Sequence, residues 1–435
     1  MHSRSLLSSL AIIASAVAQS SPSTSSVPPA TPTVPYASDD PNYWLWTADS
    51  IDVNPQPIRG KLGADILGPQ NIPIQIENSD ALAPPTTDSG AIANWKWPFA
   101  LSHNRIQNGG WARAQNINVM PVATAIAGVN MRLEAGAIRE MHWHTDGEWA
   151  YMLSGYVRVS CLTPQGQIYL QDVGPGDVWY FPAGFPHSLQ AKNTTADGAE
   201  FLLIFDNGAF SEDSTFLLTD WLAHVPKEVI AKNFQVDVSA FDHIPSKQLY
   251  IFPGTPPPED VYRDMVIPNN TPLNYTFPLS KLDATKAPGG SYKVIDTRLF
   301  PASTTVCAAD VTVEVGGMRE LHWHPTQPEW TYFISGTARI TVYASSASAQ
   351  TFDFQAGDIA YIPPSYGHYV ENTGNSTLHF LEIFRSGEFE DISLNQWLAL
   401  VPPELVKAHL DLDDATIAKF SKVKQEVVGP AQPVA

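Results

Sequence analysis

Short apolar runs of Val, Ile, Tyr, Phe and Thr alternate along this chain with polar punctuation by Gly, Pro and Asp. Gly155-Tyr156-Val157-Arg158-Val159-Ser160 and Gly336-Thr337-Ala338-Arg339-Ile340-Thr341 are typical, and such runs predict strands. Helical text is confined to two places. Pro226 precedes Lys227-Glu228-Val229-Ile230, and Pro402 precedes Pro403-Glu404-Leu405-Val406. Proline is tolerated in a helix's first turn, where its missing N–H would be unpaired anyway.

The pattern is written twice. Arg139-Glu140-Met141-His142-Trp143-His144 returns as Arg319-Glu320-Leu321-His322-Trp323-His324 at an offset of 180 residues. Glu148-Trp149 and Gly176-Asp177 return 181 residues later, Phe201 to Phe205 return at 179, and Trp221-Leu222-Ala223 at 176. A nearly constant offset with small drifts means two copies of one fold that differ in loop length. Many short strands closed by a few C-terminal helices predict an all-β class, with a jelly-roll sandwich or barrel in each copy.

The ends read differently. Residues 1–18 have a short polar start, an apolar run from Leu6 to Val17 and a small-residue Ala16-Val17-Ala18 site, which predicts a secretory signal. The run is too short to span a bilayer. Residues 19–50 begin with a stretch rich in Ser, Pro and Thr, which predicts a flexible leader open to glycosylation. The N-terminal module with its arm is assigned to 51–245. Residues 246–435 hold a Pro-rich linker around Pro256-Pro257-Pro258 and the second module. Secretion to the extracellular space makes four Asn-x-Ser/Thr acceptors credible, at Asn193, Asn269, Asn274 and Asn375. Cys161 and Cys307 lie in different modules and read equally as a disulfide or as two buried thiols. A formal charge of -19 argues against a nucleic-acid partner, because phosphate binding needs a basic face. No stretch apart from the signal approaches membrane-spanning character.

Chemistry concentrates in the repeat. Residues two apart on a strand face one side, so His142 and His144 aim two imidazoles into one cavity, as do His322 and His324. Glu148 and Glu329 follow after a turn. His187 and His368 supply a third imidazole to each copy. Three neutral nitrogens and one carboxylate suit a divalent transition ion with positions left open for substrate. By ligand type alone Mn, Fe, Ni, Cu and Zn all remain open.

These residues resemble the two cupin motifs in both copies, the second motif running Gly176, Pro182, Gly184, His187 in copy one. Ala191 stands where that motif usually ends in Asn, and Ser365 where a Gly is usual in copy two; neither touches a ligand. From Pro55-Gln56-Pro57-Ile58-Arg59-Gly60 to Ala408-His409-Leu410-Asp411-Leu412 the chain resembles the bicupin oxalate decarboxylases. The resemblance implies Mn(II) in each cupin, dioxygen used without net oxidation, oxalate cleaved to formate and carbon dioxide, and a homo-hexamer.

An oxalate pocket needs positive charge beside the metal. Arg139 and Arg319 lie three residues before the first ligand, in the wrong strand parity unless a local kink turns them inward. Resemblance to the family's substrate arginine favours that kink; parity favours pairing with the adjacent Glu140 or Glu320. Ser211-Glu212-Asp213-Ser214-Thr215 resembles the family's mobile lid, with Glu212 as proton carrier. Copy two shortens this loop by three residues and places Glu382 where copy one has Leu203. Glu382 reads either as a second proton-transfer group or as a brace for a ligand histidine. The rival functions are oxalate oxidase on the same scaffold, a sugar-binding cupin, and a metal-free storage bicupin.

Overall fold

The computed structural model describes residues 56–430 apart from 60–61, 77 and 79–86. The signal (1–18) and the leader (19–50) therefore lie outside the described residues. Each module is a pair of antiparallel sheets packed face to face. In the first, a seven-stranded sheet carries Glu148–Ser154 and Ala199–Phe205 near its middle. A six-stranded sheet carries Ile138–Trp143 between His187–Ala191 and Phe216–Leu217. The second module repeats this order with Glu329–Ser335 and Leu378–Phe384 in one sheet and Met318–Trp323 and His368–Asn372 in the other.

The core lies between the sheets and continues from one module to the next. Trp149, Trp179 and Trp330 are fully buried in one continuous cluster that holds residues of both halves. Burying side chains of this size contributes roughly 1.5–3 kcal/mol each. Trp330 donates its Nε1–H to Gln115 of the other module (2.7 Å), which satisfies the polar atom that burial would otherwise orphan.

Edge strands cross the boundary drawn at 245/246. Lys96–Pro98, from the arm before the first module, pairs with Asp358–Ile362 of the second. Thr276–Phe277, from the linker, pairs with Val178–Phe181 of the first, and Ile251–Phe252 pairs with Ile138–Trp143. Each module thus receives an edge strand from the segment that precedes the other, and the exchange covers backbone groups that would otherwise be open. Local periodicity cannot show this, because a strand's partner is set by tertiary docking.

The helices follow each barrel, as Leu218–Ala223 and Lys227–Phe234, then Leu394–Leu400, Pro403–Leu410 and Asp414–Ile417. Pro226 and Pro402 are the caps preceding the second helix of each set, and Pro403 is the first helical residue. Among the described residues one α-helix lies outside these sets, the short Ile72–Ile76 of the arm. Both cysteines are buried and free, which decides for thiols over a disulfide.

Candidate metal centres

His142 lies on Ile138–Trp143 and His144 just beyond it, while Glu148 opens the next strand and His187 opens its own. The four ligand atoms lie within 4.8 Å of one another, and all four residues are buried. His322, His324, Glu329 and His368 form the same group in the second module. Every predicted ligand is therefore brought to its cluster.

The histidines are set to coordinate through Nε2. In the first cluster each Nδ1–H donates to a backbone carbonyl: His142 to Glu140 (2.5 Å), His144 to Asp146 (2.6 Å) and His187 to Phe185 (2.8 Å). The second cluster repeats this with Glu320 (2.7 Å), Glu390 (2.8 Å) and Tyr366 (2.9 Å). A carbonyl can only accept, so the proton sits on Nδ1 and the Nε2 lone pair is free for an ion. Nε2 of His187, His322 and His324 are buried without a hydrogen-bond partner, as expected if a cation supplies the missing contact. Burial, with Arg139 beside it, holds His142 well below its usual pKa; burial and Arg319 do the same to His322. Burial pushes the Glu148 carboxyl up, but His187 and His144 more than reverse this and hold it well below the usual range. Three imidazoles that keep Nδ1 on a carbonyl and turn Nε2 toward one carboxylate form a donor set that fits a divalent ion.

The arginine parity problem is resolved by a bulge. His187 stands opposite His142 and Leu189 opposite Arg139, so between these pairs two residues on one strand, Glu140 and Met141, oppose only Ser188 on the other. His322 and Arg319 are related in the same way to His368 and Val370. The extra residue turns Arg139 and His142 to the same side. Pairing of Arg139 with Glu140 does not occur. The Glu140 carboxylate accepts instead from Thr219 N (2.8 Å), Thr219 Oγ1 (2.5 Å), Leu249 N (2.8 Å) and Tyr250 N (2.7 Å). Tyr250 has φ of 59°, a left-handed conformation costing about 1–3 kcal/mol in a bulky residue. Charge-assisted bonds of about 1.5–3 kcal/mol each outweigh that.

Around the two arginines the modules diverge. Arg319 is fully enclosed and meets Glu382 (3.2 Å), Asp391 (2.6 Å) and Glu426 (2.6 Å). Arg139 is equally buried, yet among the described residues no carboxylate lies within ion-pair distance of it. It has the Tyr250 ring at 4.1 Å and the Tyr250 carbonyl at 3.3 Å, and its Nε has no partner. Three neutral residues of the first site stand where the second has acids: Leu203 for Glu382, Thr215 for Asp391 and Tyr250 for Glu426. Glu382 braces no ligand histidine, since every Nδ1 is taken by a carbonyl; it pairs with Arg319.

Glu212 opens the short turn Glu212–Ser214. Ser211 caps that turn through Asp213 N, which leaves the Glu212 carboxyl free for other contacts. Burial pushes the Tyr250 phenol well above its usual pKa, so its hydroxyl stays protonated and donates to Glu212 Oε2. A small cavity of about 10 Å³ lies between Arg139, His142, Glu148, Glu212, Thr215 and Tyr250. It has room for about one water, so a larger ligand enters only if the surrounding residues move. A groove of about 590 Å³ along Ala399, Pro402, Ile417 and Phe420 touches neither cluster.

The cupin family model matches residues 100–241 and 278–418. Oxalate decarboxylase of Bacillus subtilis is 49% identical over 377 residues, covering 86% of this chain and 97% of that protein. The chain belongs to the bicupin oxalate decarboxylase family. A second member, described as a probable oxalate decarboxylase of Arthroderma benhamiae, is 42% identical over 381 residues and covers 86% of this chain and 93% of its own. Among solved bicupin decarboxylases, the Bacillus subtilis structure at pH 4.6 superposes with a TM-score of 0.83 over 87% of this chain and 98% of that one. Another, from a study assigning the Mn(II) centres of the Bacillus enzyme, gives 0.84 at 49% identity over 87% of this chain and all of that one.

Tyr250, Asp391 and Glu426 are site residues that motif reading does not reach, and Thr215 enters it only as the end of the run from Ser211. One signal was available. The offset of 176 that relates Trp221 to Trp397 also relates Tyr250-Ile251-Phe252 to Glu426-Val427-Val428 and Thr215 to Asp391.

Proposed function

We infer that this chain is an Mn(II)-dependent oxalate decarboxylase that converts hydrogen oxalate to carbon dioxide and formate, and that the first module performs the chemistry. The observation that carries this reading is the buried, acid-free Arg139 beside the first His3Glu cluster. Enclosing a guanidinium without an anion costs several kcal/mol, and a substrate carboxylate supplies the missing charge. Arg319 already has three carboxylates, so the second site offers an anion no such gain.

His142, His144, Glu148 and His187 would hold one ion and His322, His324, Glu329 and His368 the other. Mn(II), when bound, supplies a Lewis-acidic, redox-capable centre at which oxalate and dioxygen meet. Arg139 orients one carboxylate of the substrate through its free N–H groups. Glu212 accepts the acid proton of hydrogen oxalate, the carbon–carbon bond breaks, carbon dioxide leaves, and Glu212 returns the proton to the remaining carbon as formate forms. Apolar Leu203, Phe205 and Phe210 line the same cavity and exclude water around this transfer.

The apolar run and cleavage site of residues 1–18 support secretion, and the exposed positions of Asn193, Asn269, Asn274 and Asn375 support their use as glycan acceptors. Exposed Trp221, Trp397, Leu400 and Phe234 support a homo-oligomer, with a hexamer as the family's form. The test of function is direct. Manganese-loaded protein given oxalate should yield formate and carbon dioxide in equal amounts with little peroxide; peroxide as the main product would make it an oxidase.

A further inference from the structure

A residue outside both motifs contacts the segment 211–215. Arg105 lies on the edge strand Asn104–Gln107, where alternate residues face inward, and it is one of these. Its guanidinium stacks on the Tyr250 ring at 3.5 Å. Arg139 sits 4.1 Å from the same ring. One face cannot seat two guanidiniums at these distances, so the phenol lies between them. The Arg105 Nη1 also reaches Glu212 Oε2 (3.8 Å) and Asp213 Oδ1 (4.0 Å). Asp213 is almost fully exposed, and its share of this pairing is weak. Glu212 is shielded, and there the tyrosine hydroxyl and the arginine converge on one oxygen.

The second module provides an internal control. Arg105 pairs with Ala112, and Thr285 pairs with Tyr292 at the matching hairpin 180 residues on. Thr285 therefore takes the place of Arg105 in the module that lacks the lid, its glutamate and the aromatic corner. All four features are present together or absent together.

We propose that Arg105 is the positioning residue that latches residues 211–215 closed over the first metal site, acting through Tyr250 and Glu212. This rests on the reading of Glu212 as the proton carrier. The cavity beneath the lid is water-sized, so each turnover requires the lid to open for oxalate and close again before the carbon is protonated. An arginine that gathers Tyr250 and Glu212 favours the closed state without touching substrate. Nothing else among the described residues forms an ion pair with Glu212.

The experiment compares the manganese-loaded full chain with Arg105→Ala and Arg105→Lys. Amide hydrogen exchange over residues 211–216 is read alongside the formate-to-peroxide ratio. In Arg105→Ala, exchange in the lid should quicken by about tenfold while Ile138–Trp143 keeps its protection. The formate kcat should fall by a similar factor with KM changed less, and the peroxide share should rise. Arg105→Lys keeps the charge but not the flat stack, and should fall between. Should alanine disturb the fold, the lysine variant decides. Reduced lid protection supports the latch; protection and product ratio both unchanged overturn it. The exchange reading is independent of turnover, so a failure of the Glu212 assignment would leave lid exchange altered while Glu212→Ala still made formate.

Discussion

Tyr250 and Glu426 stand at the same corner of the two modules, each with a left-handed backbone (φ of 59° and 58°) and each against the buried arginine of its own metal site. Both corners are fixed alike. Glu140 N donates to Tyr250 O and Glu320 N to Glu426 O, each at 2.9 Å. Scaffold and strain are shared, and only the side chain differs. One module presents a neutral ring to its arginine, the other a carboxylate.

This difference should be transferable. Tyr250→Glu gives Arg139 an internal carboxylate and should raise the KM for oxalate by roughly ten- to hundredfold, the worth of one charge-assisted bond. Glu426→Tyr should not create a second oxalate site, because Arg319 keeps Glu382 and Asp391. Steady-state kinetics and oxalate titration at equal manganese content measure both.

Metal binding should be independent in the two modules, since each cluster is complete in itself. His142→Ala should halve the manganese bound per chain, and adding His322→Ala should remove the rest. Elemental analysis after dialysis reads the outcome, and full occupancy in the double variant would refute the ligand assignment.

Glu212 and Glu382 should separate by product. Glu212→Ala should lower formate output by roughly a hundredfold, the usual contribution of a general acid–base group, and divert turnover to peroxide. Glu382→Ala, which removes a partner of Arg319 in the second module, should keep formate output at equal occupancy of the first site. The reverse result would move the chemistry to the second module.

Charge in the second module makes stability depend on pH. Arg319 and Lys424 face three carboxylates, Glu382, Asp391 and Glu426. Burial pushes Glu382 up from 4.5 to about 7 despite Arg319, while Arg319 and Lys424 overcome the burial of Asp391 and hold it well below its usual value. Between those limits for Glu382 the folded protein keeps a proton that the unfolded chain releases. The Glu382 contribution to the stability of the metal-free protein therefore falls as pH rises from about 4.5 to about 7 and levels off above, while His142 and His322, depressed by burial, act in the opposite sense below about 6.5. Asp391 acts in the opposite sense, adding stability above its ordinary pKa that is lost as pH falls below it. Urea unfolding of the metal-free protein and of Glu382→Gln at pH 5, 6 and 8 isolates this contribution: the stability of the natural protein relative to the variant should fall as pH rises. A difference that grows with pH would contradict the assignment.

The duplication, the strand-rich modules and all eight ligands are legible in the sequence because each is written in short local runs that recur at a nearly constant offset. Two histidines two apart on a strand share a face wherever that strand lies, and a repeated motif repeats its geometry. The longer loop of the first copy was legible for a similar reason, as four residues, Ser211 to Ser214, where the second copy keeps only Glu390 between aligned neighbours; its reading as a lid came from the family resemblance.

Only the tertiary structure decided which arginine is open to an anion. The turn of Arg139 toward the metal comes from a bulge, and a bulge exists only against a partner strand. The partners that quench Arg319 lie 63, 72 and 107 residues away, on a core strand, a shortened loop and a terminal strap. Tyr250 reaches Arg139 across 111 residues in the same manner. Charge balance at a buried site is a sum over everything that packs around it. The sequence names the ligands of each metal, and the packing of distant segments determines which buried arginine is left without a carboxylate partner.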